Sequence, residues 1–452
     1  MSREKTFFTC QNCGHTSLKW MGRCDACGEW NTLVEEIAEA SGGEMALPVS
    51  EPVLFEEVKD TAVERKTTGI KEFDRVLGGG IVQGSLVLIG GEPGIGKSTL
   101  VLQASRNFAE AGEKVLYISG EESLEQIKLR GDRLGVREGP LYLLAETNLE
   151  RILSRVDETN PSIIILDSVQ TIFSGRLTSS PGTISQVREV TNQIFKAAKT
   201  RSIPVFLIGH ITKEGSLAGP KSLEHMVDVV LYFEGERDHS HRVLRVLKNR
   251  FGPVSELALF EMESDGLRVI ANPSAFFLKE KPKEEPGSVV VCTIKGSRPF
   301  LAEIQALVSS TLFTGNPRRM TLGLDHFRSS MLLAIVEKKL GYSFAGEDIY
   351  LNVAGGLNIS EPAADLGIIV SVVSCLKNRV IPPDVCILGE VGLSGEVRSV
   401  GQPLLRVKEA AALGFKKVIL PQGNMIQLEK NALSGITLSG VRHIKDSLEY
   451  FF

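Results

Sequence analysis

Apolar and polar positions follow two rhythms along this chain. Between residues 85 and 260, apolar runs of strand length alternate with stretches of helical period. Residues 85–89 form one run, and a helix-like segment opens at Ser98 and continues to about Ala111. Residues 114–119 read as a second strand ending at Gly120-Glu121-Glu122, followed by a polar helical stretch over 124–134. Residues 163–166 are continuously apolar, as in a strand buried on both faces of a parallel sheet, and they end at Asp167. A helix-period segment over 184–199 leads to the apolar run 204–208 and then to Gly209-His210. Residues 242–247 alternate with a period of two, like a half-buried strand. Strands alternating with helices, with ligand-type side chains at strand C-termini, predict an α/β doubly wound, mostly parallel sheet.

The pattern changes on both sides of this block. Residues 35–55 are rich in Ala, Glu, Gly and Pro without periodicity and read as a linker. Residues 280–287 are charged and punctuated by proline, and read as a hinge. Beyond it, strands over 288–294, 300–307, 349–353 and 386–388 and a helix-plus-strand over 406–420 predict an α+β domain. The expected organisation is a small domain at 1–34, the linker, an α/β domain at 56–279, the hinge, and an α+β domain at 288–452.

Composition narrows the class only a little. The 452 residues are 42% hydrophobic and 23% charged, which is ordinary for globular chains. A net charge of −4 excludes a global pull toward nucleic acid or anionic membrane, so any polyanion contact must be local. No apolar run approaches the ~18 residues of a membrane span, and residues 1–9 contain no signal-type apolar region. The expectation is a soluble cytoplasmic protein with no membrane partner.

The strongest chemical signal is Gly91-Glu92-Pro93-Gly94-Ile95-Gly96-Lys97-Ser98-Thr99, a complete G-x-x-x-x-G-K-[ST] pattern between strand and helix. Glycines let backbone N–H groups curl around phosphate oxygens, and the new helix points its positive end at them. Lys97 can then reach the β- and γ-phosphates of ATP, and Ser98 can ligate Mg²⁺ with Asp167. Ser168 follows Asp167, so the acid that activates water must come from elsewhere, and Glu121 is the best candidate, with Glu122 as fallback. A plain helix-capping role is the alternative for Glu121.

Four of seven cysteines form two CxxC units, Cys10/Cys13 and Cys24/Cys27, ten residues apart. Four thiolates suit tetrahedral Zn²⁺, and such a ribbon folds because it binds metal. Trp20, Trp30, Lys19 and Arg23 form either a stacking, phosphate-binding face or the ribbon's own core and surface.

The order from Thr68 to Phe260 resembles the RecA/DnaB superfamily, in which the catalytic glutamate stands on the strand where Glu121 ends. That resemblance implies a γ-phosphate sensor at His210 and DNA-contacting loops at 173–183, with Arg176, and 211–224, with Lys213 and Lys221. Lys248-Asn249-Arg250-Phe251-Gly252, the four-cysteine ribbon and the phosphate loop together resemble the bacterial RadA, or Sms, family over essentially the whole chain. The family resemblance implies a homohexameric ring in which Lys248 and Arg250 act on a neighbour's nucleotide, with Phe251 packing the subunit junction. It further implies a DNA-dependent ATPase and helicase on single-stranded and branched DNA, promoting branch migration in recombinational repair beside a RecA-type recombinase. A filament that pairs strands directly is the alternative.

The last domain resembles the Lon protease domain, whose Ser–Lys pair would fall at Ala363 and Leu404; neither side chain can act as nucleophile or base. The resemblance therefore implies an inactive protease fold kept for assembly. Arg318, Arg319 and Arg328 are candidate DNA contacts or plain surface.

Overall fold

The apolar runs do become strands covered on both faces. In the computed structural model, residues 5–10, 15–38, 54, 64–210, 223–235, 241–254, 256–279, 281–282, 284–295, 298–311, 317–428 and 435–452 are described. They form two compact units, Met1–Ala271 and Asn272–Phe452.

In the first unit, β1 (Lys5–Cys10), β2 (Thr16–Ser17) and β3 (Leu33–Ala38) make a small antiparallel sheet in the order β2-β1-β3. Strand β3 runs four residues into the stretch read as linker, because β1 supplies backbone partners out to the Lys5–Ala38 pair. A two-strand ladder, β4 (Arg65–Lys66) with β5 (Ile81–Val82), brackets the helix α1 (Lys71–Leu77).

The main sheet holds β6 (Leu86–Gly91), β7 (Val115–Ser119), β8 (Leu141–Ala145), β9 (Ile163–Asp167), β10 (Val205–His210), β11 (Val229–Glu234), β12 (His241–Asn249), β13 (Leu257–Glu263) and β14 (Gly266–Val269). Its order is β14-β13-β12-β11-β6-β10-β9-β7-β8. Strands β8 through β11 along that order are parallel, and β12–β14 extend them as an antiparallel meander. On β6, Val87 and Ile89 enter one core while Leu86 and Leu88 enter the other; Ile163/Ile165 and Ile164/Leu166 divide the same way on β9. The first core is closed by α1, by α2 (Lys97–Glu110) and by α3 (Leu124–Arg133); the second is closed by α4 (Leu149–Thr159) and α5 (Ile184–Arg201). Helices on both faces explain why those strands carry no polar face. The α/β doubly wound class is thus observed, and β6 lies inside the sheet with a parallel neighbour on each side.

The second unit is α+β. Strands β15 (Ser288–Lys295), β16 (Arg298–Ser310), β17 (Arg319–Leu322), β18 (Glu347–Val353), β19 (Val385–Ile387), β22 (Lys417–Pro421) and β23 (Thr437–Val441) form one mixed sheet, β17-β18-β16-β15-β19-β22-β23; β20 (Glu390–Val391) and β21 (Val397–Arg398) pair separately. The helix Asp365–Lys377 is buried over most of its length. The short helix Pro273–Leu278 belongs to this unit: the Ser274 hydroxyl donates to Glu409 at 2.6 Å and accepts the Leu301 N–H at 2.9 Å. Among the described residues, no helix is long and apolar enough to cross a membrane.

Candidate nucleotide site

The phosphate-loop sequence turns out of β6 into α2, and two of its glycines are required, Gly91 by packing and Gly96 by its left-handed backbone. Gly91 has φ 150°, and a Cβ there would lie 2.5 Å from the Phe233 carbonyl of β11; at Gly96, φ 114°, it would meet Met262 Cε at 2.8 Å. Gly96 precedes α2 without a side-chain cap, and the positive end of this 14-residue helix favours an anion there. Lys97 is 3% exposed and donates to the carbonyls of Gly91 and Glu92, both at 2.8 Å. Burial lowers its pKa to about 8, against the opposing pull of Asp167, Glu121 and Glu92. Ser98 and Thr99 follow in the first turn, half-buried.

Asp167 ends β9 in register with Ser119 and Ile208, and is buried. The wholly buried Tyr117 donates its phenolic proton to Asp167 Oδ2 at 2.7 Å. Arg130 Nη2 donates to the same phenol oxygen at 3.4 Å, and Arg130 Nη1 pairs with Glu122 at 2.6 Å. Glu121 stands just beyond β7 and accepts from the Ser168 hydroxyl. The capping alternative for Glu121 fails, because Ser123 and Gln126 cap α3 reciprocally. His210 pairs in register with Gly91, which brings its backbone beside the loop; its side chain lies outside the described residues. Lys97, Glu121 and Asp167 therefore meet at one end of the sheet. A hard cation such as Mg²⁺ takes oxygen donors, and the carboxylate of Asp167 with the hydroxyl of Ser98 fits that requirement.

Lys248 and Arg250 do not join this cluster. Asn249 pairs with Val229, and Val229 pairs with Val87, so the two cations flank the beginning of β6. The loop lies at its other end, a separation of about 15 Å at ~3.3 Å per residue. Lys248 Nζ donates to the carbonyls of Glu224 and Val227, the latter at 2.8 Å, and its pKa is lowered by desolvation and by Arg250. Arg250 pairs with the buried Asp228 at 3.2 Å, which also binds Lys199 at 2.9 Å and accepts the Leu86 N–H at 3.1 Å. Asn249, pointing the other way, donates to Val76 O at 3.2 Å and accepts the Phe251 N–H at 2.8 Å. Phe251 packs against the core of its own chain while staying partly exposed, its N–H held by Asn249 and its carbonyl by Arg65.

In the ribbon, the sulfurs of Cys10, Cys24 and Cys27 lie within 4.8 Å of one another, and Cys10 and Cys27 are 3.7 Å apart. Thiolates on a tetrahedral Zn²⁺ with 2.3 Å bonds stand about 3.8 Å apart, so these three fit that metal. Cys13 lies outside the described residues. The ribbon core is Cys10, Cys24 and Leu33 with Phe8, Met21 and Cys27, whereas Trp20 and Trp30 are 57% and 67% exposed. The tryptophans are therefore not core, and the Arg23 guanidinium lies 5.8 Å from the Trp30 ring centroid.

The loop at 173–183 is more tightly held than its small residues suggest. Buried Gln186 bonds the backbone of Ser174, Leu177 and Ser179, and the Ser174 hydroxyl donates to Glu150 at 2.7 Å. Arg176 is exposed, 4.0 Å from Glu189. Lys213 and Lys221 lie outside the described residues.

In the second unit, Ala363 is buried and Leu404 packs into the core. Nearby chemistry is occupied structurally: Arg406, 1% exposed, forks onto both oxygens of Glu361 and onto the Cys292 and Gly401 carbonyls, and Glu361 also accepts from Thr293 and Ile294. Arg328 binds Asp365 through two nitrogens, and Arg319 donates to the Phe344 and Glu347 carbonyls. Arg328 and Arg319 thus hold the fold together, which sequence position alone did not distinguish from a DNA contact. Tyr117, Arg130, Glu361 and Arg406 were all missed as site residues. Asp167 lies 50 residues from Tyr117 and Arg406 lies 45 from Glu361, and Arg130 sits in a polar helical stretch where one more cation carries no signal.

Comparison with known proteins covers the same three regions. Residues 8–35 match the rubredoxin metal-binding domain model, 66–141 the KaiC ATPase model, and 327–452 the Lon protease (S16) C-terminal proteolytic domain model. The DNA repair protein RadA of Bacillus subtilis is 49% identical over 455 residues, covering 99% of each chain. That of Aquifex aeolicus is 49% identical over 455 residues, covering 100% of each. Among solved structures, a KaiC-like protein of Pyrococcus horikoshii matches at 22% identity with a TM-score of 0.39, over 46% of this chain and 99% of that one. With full-length identity at that level and an ATPase domain in register, the chain belongs to the RadA family of DNA repair proteins.

Proposed function

We propose that this chain is a DNA-dependent ATPase whose nucleotide pocket is completed by a neighbouring copy, so that hydrolysis drives a homohexameric ring along single-stranded DNA. Its task is branch migration and processing of recombination intermediates, beside a RecA-type recombinase in the cytoplasm. The observation that supports this reading best is the placement of Lys248 and Arg250 at the end of β6 opposite their own phosphate loop. Cations too far to serve their own site would serve another subunit's by exchanging their Asp228 and carbonyl partners for its phosphates.

In this reading the loop N–H groups from Gly91 to Thr99 cradle the phosphates of ATP. Lys97 exchanges its two carbonyl partners for phosphate oxygens, a small movement because the amine already lies against the loop. Ser98 and Asp167 would hold Mg²⁺, which when bound draws off charge from the β- and γ-phosphates. Glu121, held by Ser168, orients a water and takes its proton as that oxygen attacks the γ-phosphorus and the bond to the β-phosphate oxygen breaks. His210 senses the γ-phosphate from the end of β10. Lys248 and Arg250 from the adjoining subunit stabilise the charge that develops. Arg176, Lys213 and Lys221 grip DNA phosphates without reading sequence.

Cys10, Cys13, Cys24 and Cys27 would hold Zn²⁺ as a closed structural site, which keeps the ribbon folded. The domains of this reading are the ribbon through Ala38, the ATPase region ending at Ala271 and the Lon-like region from Asn272. The last domain acts in assembly and not in proteolysis, since Ala363 and Leu404 offer neither nucleophile nor base.

A forked DNA substrate tests the reading. Purified protein should separate the strands with ATP, and Lys97→Ala should abolish separation. Hydrolysis indifferent to added single-stranded DNA, with no strand separation, would replace the motor with a nucleotide switch.

A further inference from the structure

Behind the proposed Mg²⁺ carboxylate runs a buried hydrogen-bond chain with no part in the hydrolysis steps above. We propose that Tyr117 is a positioning residue for Asp167, and that Arg130 ties this pair to Glu122 beside the proposed catalytic Glu121. The inference rests on the nucleotide-site reading above.

The direction of the chain follows from donor and acceptor inventories. A carboxylate only accepts, so the single phenolic proton of Tyr117 must go to Asp167 Oδ2, 2.7 Å away. A guanidinium only donates, so Arg130 Nη2 gives its proton to the lone pair of the same phenol oxygen at 3.4 Å. Both bonds therefore pull electron density the same way, and donors chained in this manner polarise one another. That bond fixes the orientation of the carboxylate, which keeps acceptor capacity for the cation. The ring needs no hydroxyl to do its packing: Tyr117 lies in the same core as Val115, Ile163 and Ile165. A phenylalanine would fill that space, and only the bonds to Asp167 and Arg130 require the oxygen.

Arg130 extends the link to the catalytic loop. It sits on α3, the helix that starts directly after Glu121 and Glu122, and it grips Glu122 Oε1 at 2.6 Å. One side chain thereby fixes both the segment carrying Glu121 and the orientation of Asp167. A shift of either is felt by the other.

The test uses the full chain and Mn²⁺ as the probe, with ADP, followed by electron paramagnetic resonance. Tyr117→Phe should weaken Mn²⁺ binding in the presence of ADP about 10-fold, the low end of effects from removing an outer partner of a ligating carboxylate. The Mg²⁺ concentration for half-maximal hydrolysis should rise by a similar factor, while kcat at saturating Mg²⁺ falls far less. Arg130→Gln should shift the metal dependence in the same direction and also lower kcat, because it frees the Glu121 segment. Thermal unfolding is followed for each variant. If Tyr117→Phe is destabilised, Arg130→Gln alone supplies the metal-dependence readout. Unchanged Mn²⁺ affinity and Mg²⁺ requirement in both variants would overturn the inference. Failure of the nucleotide-site reading looks different: the parental protein itself would show no ADP-dependent Mn²⁺ site.

Discussion

Arg250 and Gly91 stand at opposite ends of β6, although both belong to the ATPase domain. The pairing of Asn249 with Val229 and of Val229 with Val87 sets this arrangement. Five strand residues span about 15 Å, more than twice the reach of an arginine side chain. Arg250→Ala should therefore leave ADP affinity within about twofold and lower the DNA-stimulated kcat by at least ~10³-fold, the lower range for losing an arginine that contacts the transferring phosphoryl group. Calorimetry and steady-state hydrolysis measure the two quantities.

Glu121→Gln keeps the size of the side chain and its bond from Ser168 but cannot take a proton. Hydrolysis should drop by ~10²-fold or more with ATP binding preserved, as for loss of a positioned general base. A parental rate would move the catalytic role to another acid.

Lys97 sets a pH dependence of binding. Burial lowers its pKa to about 8, so in the free protein it loses its proton above that pH. The phosphate charge of a bound nucleotide favours the ammonium, so binding above pH 8 takes up a proton. ADP affinity should be flat below pH 8 and weaken about 10-fold by pH 9, as one-proton linkage requires. Titration calorimetry in buffers of different ionisation heat would register the proton uptake directly.

The Lon-like domain yields a prediction about stability and one about chemistry. Arg406→Met leaves Glu361 without its fork in a site that buries the arginine almost fully. The domain should lose about 3 kcal/mol, a fall in Tm of roughly 10 °C. Parental protein should leave casein intact, and so should an Ala363→Ser variant, because the position aligned with the protease lysine holds Leu404.

Four parallel strands, β6, β7, β9 and β10, were readable because they are covered on both faces, whereas β11, equally buried at Val229–Leu231, was not read. Catalytic candidates were readable for a related reason, since parallel sheets place them at strand C-termini, and Lys97, Glu121 and Asp167 all stand there. Strand β8 was missed because it lies at the sheet edge, half-exposed, with a weak pattern in Leu141–Ala145. Tyr117 was missed because a tyrosine in an apolar run reads as core, and Asp167 is 50 residues on. Lys248 and Arg250 share a side, opposite Asn249, as alternate residues of an extended segment do. Which end of the sheet they occupy did not, because it depends on β11 pairing with β6.

The most direct measurement mixes two inactive proteins. Lys97→Ala and Arg250→Ala, each nearly without ATPase activity alone, are combined in equal amounts with single-stranded DNA and ATP. If the pocket is shared between subunits, mixing restores hydrolysis, with about one site in four intact when copies assemble at random. A mixture no more active than the two proteins measured separately would contradict a nucleotide pocket completed by a neighbour.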